Sequence, residues 1–321
     1  MIGSRIFFRS IFRSCTSNAS LKNKVVVLTG GNVGIGFEVA KDLAIRGAKL
    51  YLASHSSERG QAAAEKLIEL TKNTKIVSKK CDLTDLACVS QFCDQVFKAE
   101  SKLDVLICHA GGGSGRKKRL TKDGLEYTFQ LNHFGHFVMV KRFIPLLMKS
   151  DQGRIIFTSS GAHRMGKLDI DNMIRFDNYT SHPWFAYCDI KLANVAFTKE
   201  LSRRLCDTPI TVNVLSPGVY LSNNMKNVKV LPIKIMLYIA NFIYNRTAQE
   251  SAQTIIYLAV SEEVKNVTGG YFSDCKLSSY NKLADDPKLC SKLWNVSQQI
   301  YETHSNLKHH VLSDQLSEHQ I

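Results

Sequence analysis

After residue 24 the chain alternates between short apolar runs and stretches with helical spacing. Val25-Val26-Val27-Leu28 is too short for a helix and stops at Thr29-Gly30-Gly31. It predicts a buried strand entering a tight turn. Apolar positions then recur with helical period from Ile35 to Arg46, and Gly47 is a helix stop. Strands are predicted at Leu50–Ala53, Lys75–Lys80, Val105–Cys108, Arg154–Thr158, Ile210–Leu215 and Tyr271–Phe272. Helices are predicted over about 58–71, 86–97, 124–148, 185–205 and 248–260. Alternation of this kind implies an α/β fold: a doubly wound parallel sheet of the Rossmann type, covered by helices on both faces. Ligands of such sheets bind at the carboxyl ends of the strands, near the point where strand order reverses.

Composition changes this picture little. The 321 residues contain 44% hydrophobic residues and only 6 prolines, with no Gly/Ser tract to divide the chain. A single domain over residues 21–306 is expected, followed by a polar tail at 307–321. The formal charge of +14 is spread along the chain. Its one tight run is Arg116-Lys117-Lys118-Arg119. Zinc-finger spacing, an RNP-like aromatic pattern and a long Arg-rich helix are all missing, which argues against a nucleic-acid partner. Nine cysteines without paired spacing read as free thiols, and no Cys/His grouping has metal-ligand spacing.

Residues 1–20 differ from the rest. Arg5, Arg9 and Arg13 fall on one helical face, Phe7, Phe8, Ile11 and Phe12 on the other, serines are frequent, and the first acidic residue is Glu38. An Arg-rich, Ser-rich, acid-free amphipathic segment reads as a mitochondrial targeting peptide. The alternatives are contact with an anionic membrane surface, such as that of the endoplasmic reticulum, or a tail without a role.

The chemistry gathers where strands end. Thr29-Gly30-Gly31-Asn32-Val33-Gly34-Ile35-Gly36 follows the first strand and opens the first helix. Glycines there let the backbone approach a pyrophosphate, and the helix N-terminus offers it N–H groups and a positive dipole. Asp82 ends the third strand, in a position that also suits an ordinary turn Asp. Tyr187 and Lys191 stand four apart on one helical face. A neighbouring ammonium favours phenolate, bringing a tyrosine toward the range useful in acid–base work. Ser159-Ser160 ends the fifth strand, Pro217-Gly218 follows the sixth, and Asn132 lies in mid-helix, where Asn is locally unfavourable.

The spacing T-G-x-x-x-G-x-G resembles the glycine motif of the short-chain dehydrogenase/reductase family, and the resemblance extends over about residues 24–275. It implies cofactor contacts by Gly30, Asn32, Gly34, Ile35 and Gly36, with Asp82 on the adenine and Ala110-Gly111 beside a ribose. It further implies that Pro217, Gly218 and Ser222 lie near the nicotinamide, that Ser160 holds the substrate oxygen, and that Tyr187 exchanges its proton. Lys191 then binds the ribose, and Asn132 leaves a backbone carbonyl free to hold a water leading to Lys191. Where the family usually carries Asn-Asn-Ala-Gly, this chain has Cys108-His109-Ala110-Gly111, and Ile190 replaces the usual Ser.

No carboxylate ends the second strand to select NAD. His55 stands where NADP-preferring relatives carry Arg, so NADP is expected with NAD not excluded. Leu120–Glu126, Asn132–Phe137, Lys191-Leu192-Ala193-Asn194, Gly269–Lys276 and Leu293–Ser297 resemble the retinol dehydrogenase-like branch. That branch implies a hydrophobic carbonyl or alcohol substrate: retinaldehyde-like, lipid aldehyde or steroid-like. Residues 228–244 would form part of a C-terminal substrate lid or meet a membrane, and the two long helices would serve a homodimer. The competing readings are a coenzyme-binding module without turnover, motivated by Cys108, His109 and Ile190, and a membrane-associated interaction protein.

Overall fold

The computed structural model describes residues 12–112, 119–175, 183–218 and 246–304. The insertion at 228–244, Ser222, most of the basic run at 116–119 and the tail beyond 304 lie outside them.

The order is β1 (Val25–Thr29), α1 (Gly34–Ile45), β2 (Lys49–Ser54), α2 (Ser57–Thr71), β3 (Ile76–Lys80), α3 (Leu86–Ala99) and β4 (Val105–Cys108). A single helical turn (Tyr127–Phe129) and a π-turn (Gln130–Phe134) lead into α4 (Gly135–Leu147) and β5 (Gly153–Thr158). Then come α5 (Ile170–Arg175), α6 (Pro183–Arg204), β6 (Ile210–Leu215), α7 (Ala248–Val260), β7 (Tyr271–Ser273), β8 (Lys276–Leu277) and α8 (Pro287–Thr303).

The strands form one sheet in the order β3-β2-β1-β4-β5-β6-β7-β8, parallel except for the terminal β7–β8 pair. Strand order reverses between β1 and β4, so the switch point lies where the Thr29 turn meets the Cys108 turn.

Side-chain alternation sorts the core into two layers. Val25, Val27, Leu106, Ile155, Phe157, Val212 and Val214 point to α3, α4, α6 and α8. Val26, Leu28, Val105, Ile107, Ile156 and Leu215 point to α1 and α7. Parallel strands covered on both faces need apolar residues at every position. That is why β1 and β4 read as continuous runs rather than alternating ones.

The long helix expected at 124–148 is broken. Leu120 and Glu126 form an isolated antiparallel bridge, and regular helix begins only after the π-turn. The two-residue strand β8 is too short to show a period, and helix α8 was not among the expected helices although Leu289, Leu293, Val296 and Ile300 recur with helical spacing. Trp294 of α8 stacks on Phe197 of α6, with ring centroids 5.7 Å apart, and meets the Phe137 ring edge-on. Helix α8 therefore covers the faces of both long helices.

From Phe12 to Ser20 the chain lies on the α1/α7 side. Arg46 donates to the carbonyls of Ser17 and Ala19 at 2.7 and 3.0 Å, and the Cys15 N–H donates to Gln253 at 3.0 Å. The segment read as residues 1–20 is thus described only from Phe12, and from there it packs on the domain. No helix among the described residues is long and apolar enough to cross a membrane.

Candidate active site

The carboxyl ends of β1 and β4 are locked together by one side chain. The Thr29 hydroxyl accepts the N–H groups of His109 and Ala110, both at 2.9 Å. Both its lone pairs are then used, so it donates, and His136 Nε2 lies 3.0 Å away. Gly30 turns the chain at φ +73°, and a side chain there would press on Ala110. A Cβ on Gly36 would fall on the Gly30 carbonyl oxygen and only 2.8 Å from its carbon, so α1 starts against the turn. Val33 gives α1 no side-chain cap, and Asn32 is half-buried beside it. Gly30, Asn32, Gly34, Ile35 and Gly36 therefore build an uncapped helix N-terminus on a close-packed turn. That arrangement fits the pyrophosphate of a dinucleotide.

At the ends of β2 and β3, His55 Nε2 stands 3.3 Å from Asp82 Oδ2. The other Asp82 oxygen accepts the Thr84 N–H and hydroxyl at 2.9 and 2.7 Å. Asp82 is thus a turn carboxylate with one oxygen turned to the neighbouring strand. At the end of β6, Pro217 and Gly218 are half-buried, and the Gly218 N–H donates to Ser216 Oγ at 3.3 Å.

Asn132 sits in the π-turn. Its amide donates to the carbonyls of Gly112 and Thr128, each at 2.8 Å, and its Oδ1 accepts the Gly112 N–H at 3.0 Å. A Cβ on Gly111 would collide with Asn132 Oδ1 and come within 3.3 Å of Lys191 Nζ. Ala110-Gly111 is thus held open by the catalytic candidates themselves.

A π-turn, in which the Gly135 N–H donates to the Gln130 carbonyl, supplies the irregularity that a mid-helix Asn suggests, and the family resemblance implies a free Asn132 carbonyl within it. The carbonyl is nevertheless not free. It accepts the Asn194 amide at 3.1 Å, and His136 Nδ1 lies at 3.4 Å. Asn194 Oδ1 meets His133 Nδ1 at 3.1 Å, and His133 Nε2 meets Ser297 Oγ of α8 at 3.3 Å. A buried polar chain thus runs from Thr29 through His136, Asn132, Asn194 and His133 to α8. His133 and His136 are both members of it. Asn194 was legible only as part of a branch motif, although it lies three residues from Lys191 on the same helix.

His109 replaces an asparagine of the family pattern, and its ring spans β4 to β5 through Thr158 Oγ1 at 3.1 Å. Burial, and secondarily the Lys191 charge, push it down to about 4, so it is neutral.

The remaining candidate catalytic residues converge from β5 and α6. Ser159 donates to the Lys191 carbonyl at 2.7 Å, tying strand to helix. Ser160 accepts the Ala162 N–H at 3.2 Å and hydrogen-bonds the Tyr187 hydroxyl. Lys191 Nζ donates to the Thr158 carbonyl at 3.2 Å and lies 5.5 Å from the Tyr187 ring centroid. Burial pushes Lys191 down to about 8. Burial also raises Tyr187, with the Ser160 hydrogen bond pulling the other way. The sequence expectation was a lowered tyrosine. Here desolvation wins, because the ammonium lies over the ring and is bound to Thr158. The Trp184 ring stands 6.0 Å from that of Tyr187. Among the described residues no cluster of His, Cys, Asp and Glu is arranged to hold a metal.

A glycine turn that fits a dinucleotide at the switch point, with the candidates Ser160, Tyr187, Lys191 and Asn132 beside it, is the arrangement expected of a nicotinamide-dependent oxidoreductase. The family model of the short chain dehydrogenases matches residues 24–230. Retinol dehydrogenase 12 of Mus musculus is 36% identical over 286 residues, covering 89% of each chain. Retinol dehydrogenase 14 of Homo sapiens is 34% identical over 292 residues, covering 87% of this chain and 86% of the relative. The crystal structure of an uncharacterised Mycobacterium paratuberculosis protein superposes with a TM-score of 0.72 at 26% identity, over 91% of this chain and 98% of that one. The chain belongs to the short-chain dehydrogenase family, in its retinol dehydrogenase-like branch, and is an NAD(P)-dependent oxidoreductase.

The buried histidines carry a stability consequence. Burial pushes His133 down to about 4 and His136 to about 3. Both lie below the ordinary imidazole value, so the unfolded chain binds more protons in acid. Their cost is absent above about pH 6.5 and grows as pH falls toward those folded values. By pH 5 it amounts to about 2 kcal/mol per histidine. Urea unfolding at pH 7 and pH 5 is expected to show this loss, and equal stability at the two pH values would mean that the rings are not held neutral.

Proposed function

We propose that the protein interconverts a carbonyl and an alcohol on a hydrophobic substrate with NADP(H), Tyr187 acting as general acid and base. The observation that carries this reading is the hydrogen-bonded Ser160–Tyr187 pair, with buried Lys191 one turn further along α6. When bound, the coenzyme supplies or accepts the hydride. Ser160 holds the substrate oxygen and stabilises the charge that develops on it. Tyr187, kept protonated by burial, delivers the proton in the reducing direction. Lys191 holds the nicotinamide ribose and gives the tyrosine a cationic neighbour, and Asn132 fixes the Gly112 backbone beside them.

A hydrophobic substrate is supported by the aromatic ring of Trp184, which stands beside Tyr187. The names of the relatives point to retinol and retinaldehyde among such substrates. NADP is supported by His55 and Arg59 at a β2 end without a carboxylate. The spacing of Arg5, Arg9 and Arg13 supports a mitochondrial location, with the endoplasmic reticulum membrane surface as the alternative.

The test is oxidation of NADPH and NADH by the purified protein, offered all-trans-retinal and a panel of medium-chain aldehydes and ketones. Turnover with NADPH is expected, with kcat/KM for reduction level through neutral pH and falling above about 8 as Lys191 loses its charge. Coenzyme binding without turnover on any carbonyl would favour a binding module instead.

A further inference from the structure

The segment from Phe12 to Ser20 follows one path across the domain, and side chains of the domain hold it along the way. Arg46, which closes α1 at the amino ends of the strands, holds the carbonyls of Ser17 and Ala19. The Cys15 N–H then reaches Gln253 on α7. The Arg13 carbonyl meets Cys275 Sγ at 3.7 Å, and the Cys275 N–H is itself fixed by Thr254 at 3.2 Å. Cys275 lies just past β7, at the carboxyl ends of the strands. Going back from Ser20 to Phe12, the chain thus crosses the α1/α7 layer from one edge of the sheet to the other. An extended stretch of this length spans about 30 Å, enough for the crossing.

The path brings Phe12 to Arg246. The Phe12 ring centroid lies 4.1 Å from the guanidinium carbon. Arg246 also packs on Gly218, where an added Cβ would come 2.6, 2.7 and 2.8 Å from its Nε, Cζ and Cδ. Gly218 has φ +81°, and the arginine fills the place where another residue would carry its side chain. Arg246 Nη2 meets Asp274 Oδ1 at 2.5 Å, and only 8% of the Arg246 side chain is exposed. Thr247 caps α7 with a full capping box, so the Arg246 backbone is anchored at the helix entry. A planar guanidinium stacks well on a ring face, and the contact strengthens as water is excluded.

Gly218 belongs to the turn that leaves β6. The Ser159 N–H donates to the Leu215 carbonyl at 2.7 Å, so this turn borders the same strand ends as Ser160. The next step rests on the coenzyme reading above, in which the nicotinamide lies by Pro217 and Gly218.

We propose that the segment Phe12–Ser20 is a strap that positions the nicotinamide end of the coenzyme site. The Phe12 ring holds Arg246 on Gly218, and Arg246 holds the turn. Phe12 and Arg246 are positioning residues, acting through the turn rather than on the reacting atoms. Cleavage after residue 20, as of a targeting peptide, would remove the strap, so the fully active enzyme is one that keeps Phe12.

The test is equilibrium binding of NADPH and of 2′,5′-ADP, which has the adenosine end of that coenzyme without the nicotinamide. The full-length protein is compared with Phe12→Ala, Phe12→Tyr, Arg246→Met and a chain lacking residues 1–20, with denaturant unfolding run on each. Phe12→Ala is expected to weaken NADPH by about tenfold and to leave 2′,5′-ADP within about twofold. Phe12→Tyr keeps a ring face over the guanidinium and should keep the NADPH affinity. Arg246→Met should show the same split as Phe12→Ala, and adding Phe12→Ala to it should cost nothing more, because one acts through the other. The shortened chain should show a split at least as large. A variant that is merely less stable moves both ligands together. Equal weakening of both ligands by Phe12→Ala, weakening of neither, or additive losses in the double variant would overturn the inference and leave the NADP reading intact. Preference of the unmodified protein for NADH would overturn the NADP reading alone, and NADH against 5′-ADP would then test the strap by the same split.

Discussion

Tyr187→Phe is expected to lower kcat for carbonyl reduction by about 1,000-fold, within the range seen when a positioned acid is removed. The substitution deletes one hydroxyl and nothing else. The ring keeps its place beside Trp184 and under Lys191. Lys191 keeps its bond to Thr158, and Ser159 keeps α6 tied to β5. Coenzyme affinity and unfolding midpoint are therefore expected to stay near the unmodified values, so the loss falls on kcat. Ser160 loses one partner but retains the Ala162 N–H. Ser160→Ala is the milder change, costing about 100-fold by removing an oxyanion donor. A Tyr187→Phe protein that retains a tenth or more of the original turnover would show that the proton comes from elsewhere, and the acid–base role of Tyr187 would fall.

Much of the scaffold for this chemistry could be read from residue pattern. Buried parallel strands announce themselves as apolar runs, and β4 and β6 lie at the predicted residues. The runs are short, so their ends are sharp. Pattern failed where polar side chains replace backbone ladders. Asn132 marks an irregularity, but a π-turn depends on where its amide finds carbonyls, and those belong to Gly112 and Thr128. The fate of its own carbonyl depends on Asn194, 62 residues away. His109 looked like a defect because the sequence does not display Thr158 across the sheet. His55 and Asp82 were each visible, but their pairing exists only because β2 and β3 are neighbours in register. The direction of the Tyr187 shift was misjudged for a related reason. Spacing shows that Lys191 shares its helical face, but not how much water both have lost.

Gly36→Ala is expected to weaken dinucleotide binding by about 100-fold, the roughly 3 kcal/mol lost when hydrogen bonds to a charged phosphate are broken, and to destabilise the fold by about 2 kcal/mol. In an exposed helix the same change would help by roughly 1 kcal/mol, because alanine restricts the unfolded chain. Here the added carbon falls on the Gly30 carbonyl, with His109 Cδ2 at 3.1 Å on the other side. Neither neighbour is free to yield. Gly30 is fixed against Ala110, and His109 is held by Thr29 through its N–H and by Thr158 through its ring. The remaining response is for α1 to move away from the turn, carrying its uncapped N–H groups off the pyrophosphate position. Gly31→Ala provides the contrast. Its new carbon would meet the ends of the Leu52 and Leu28 side chains, at 2.8 and 3.0 Å, which can rotate. It is expected to lose stability with less effect on binding. Fluorescence titration with NADPH and NADH, beside denaturant unfolding, separates the two variants. If Gly36→Ala bound either coenzyme within about threefold of the unmodified protein, the helix N-terminus would not be what holds the phosphates.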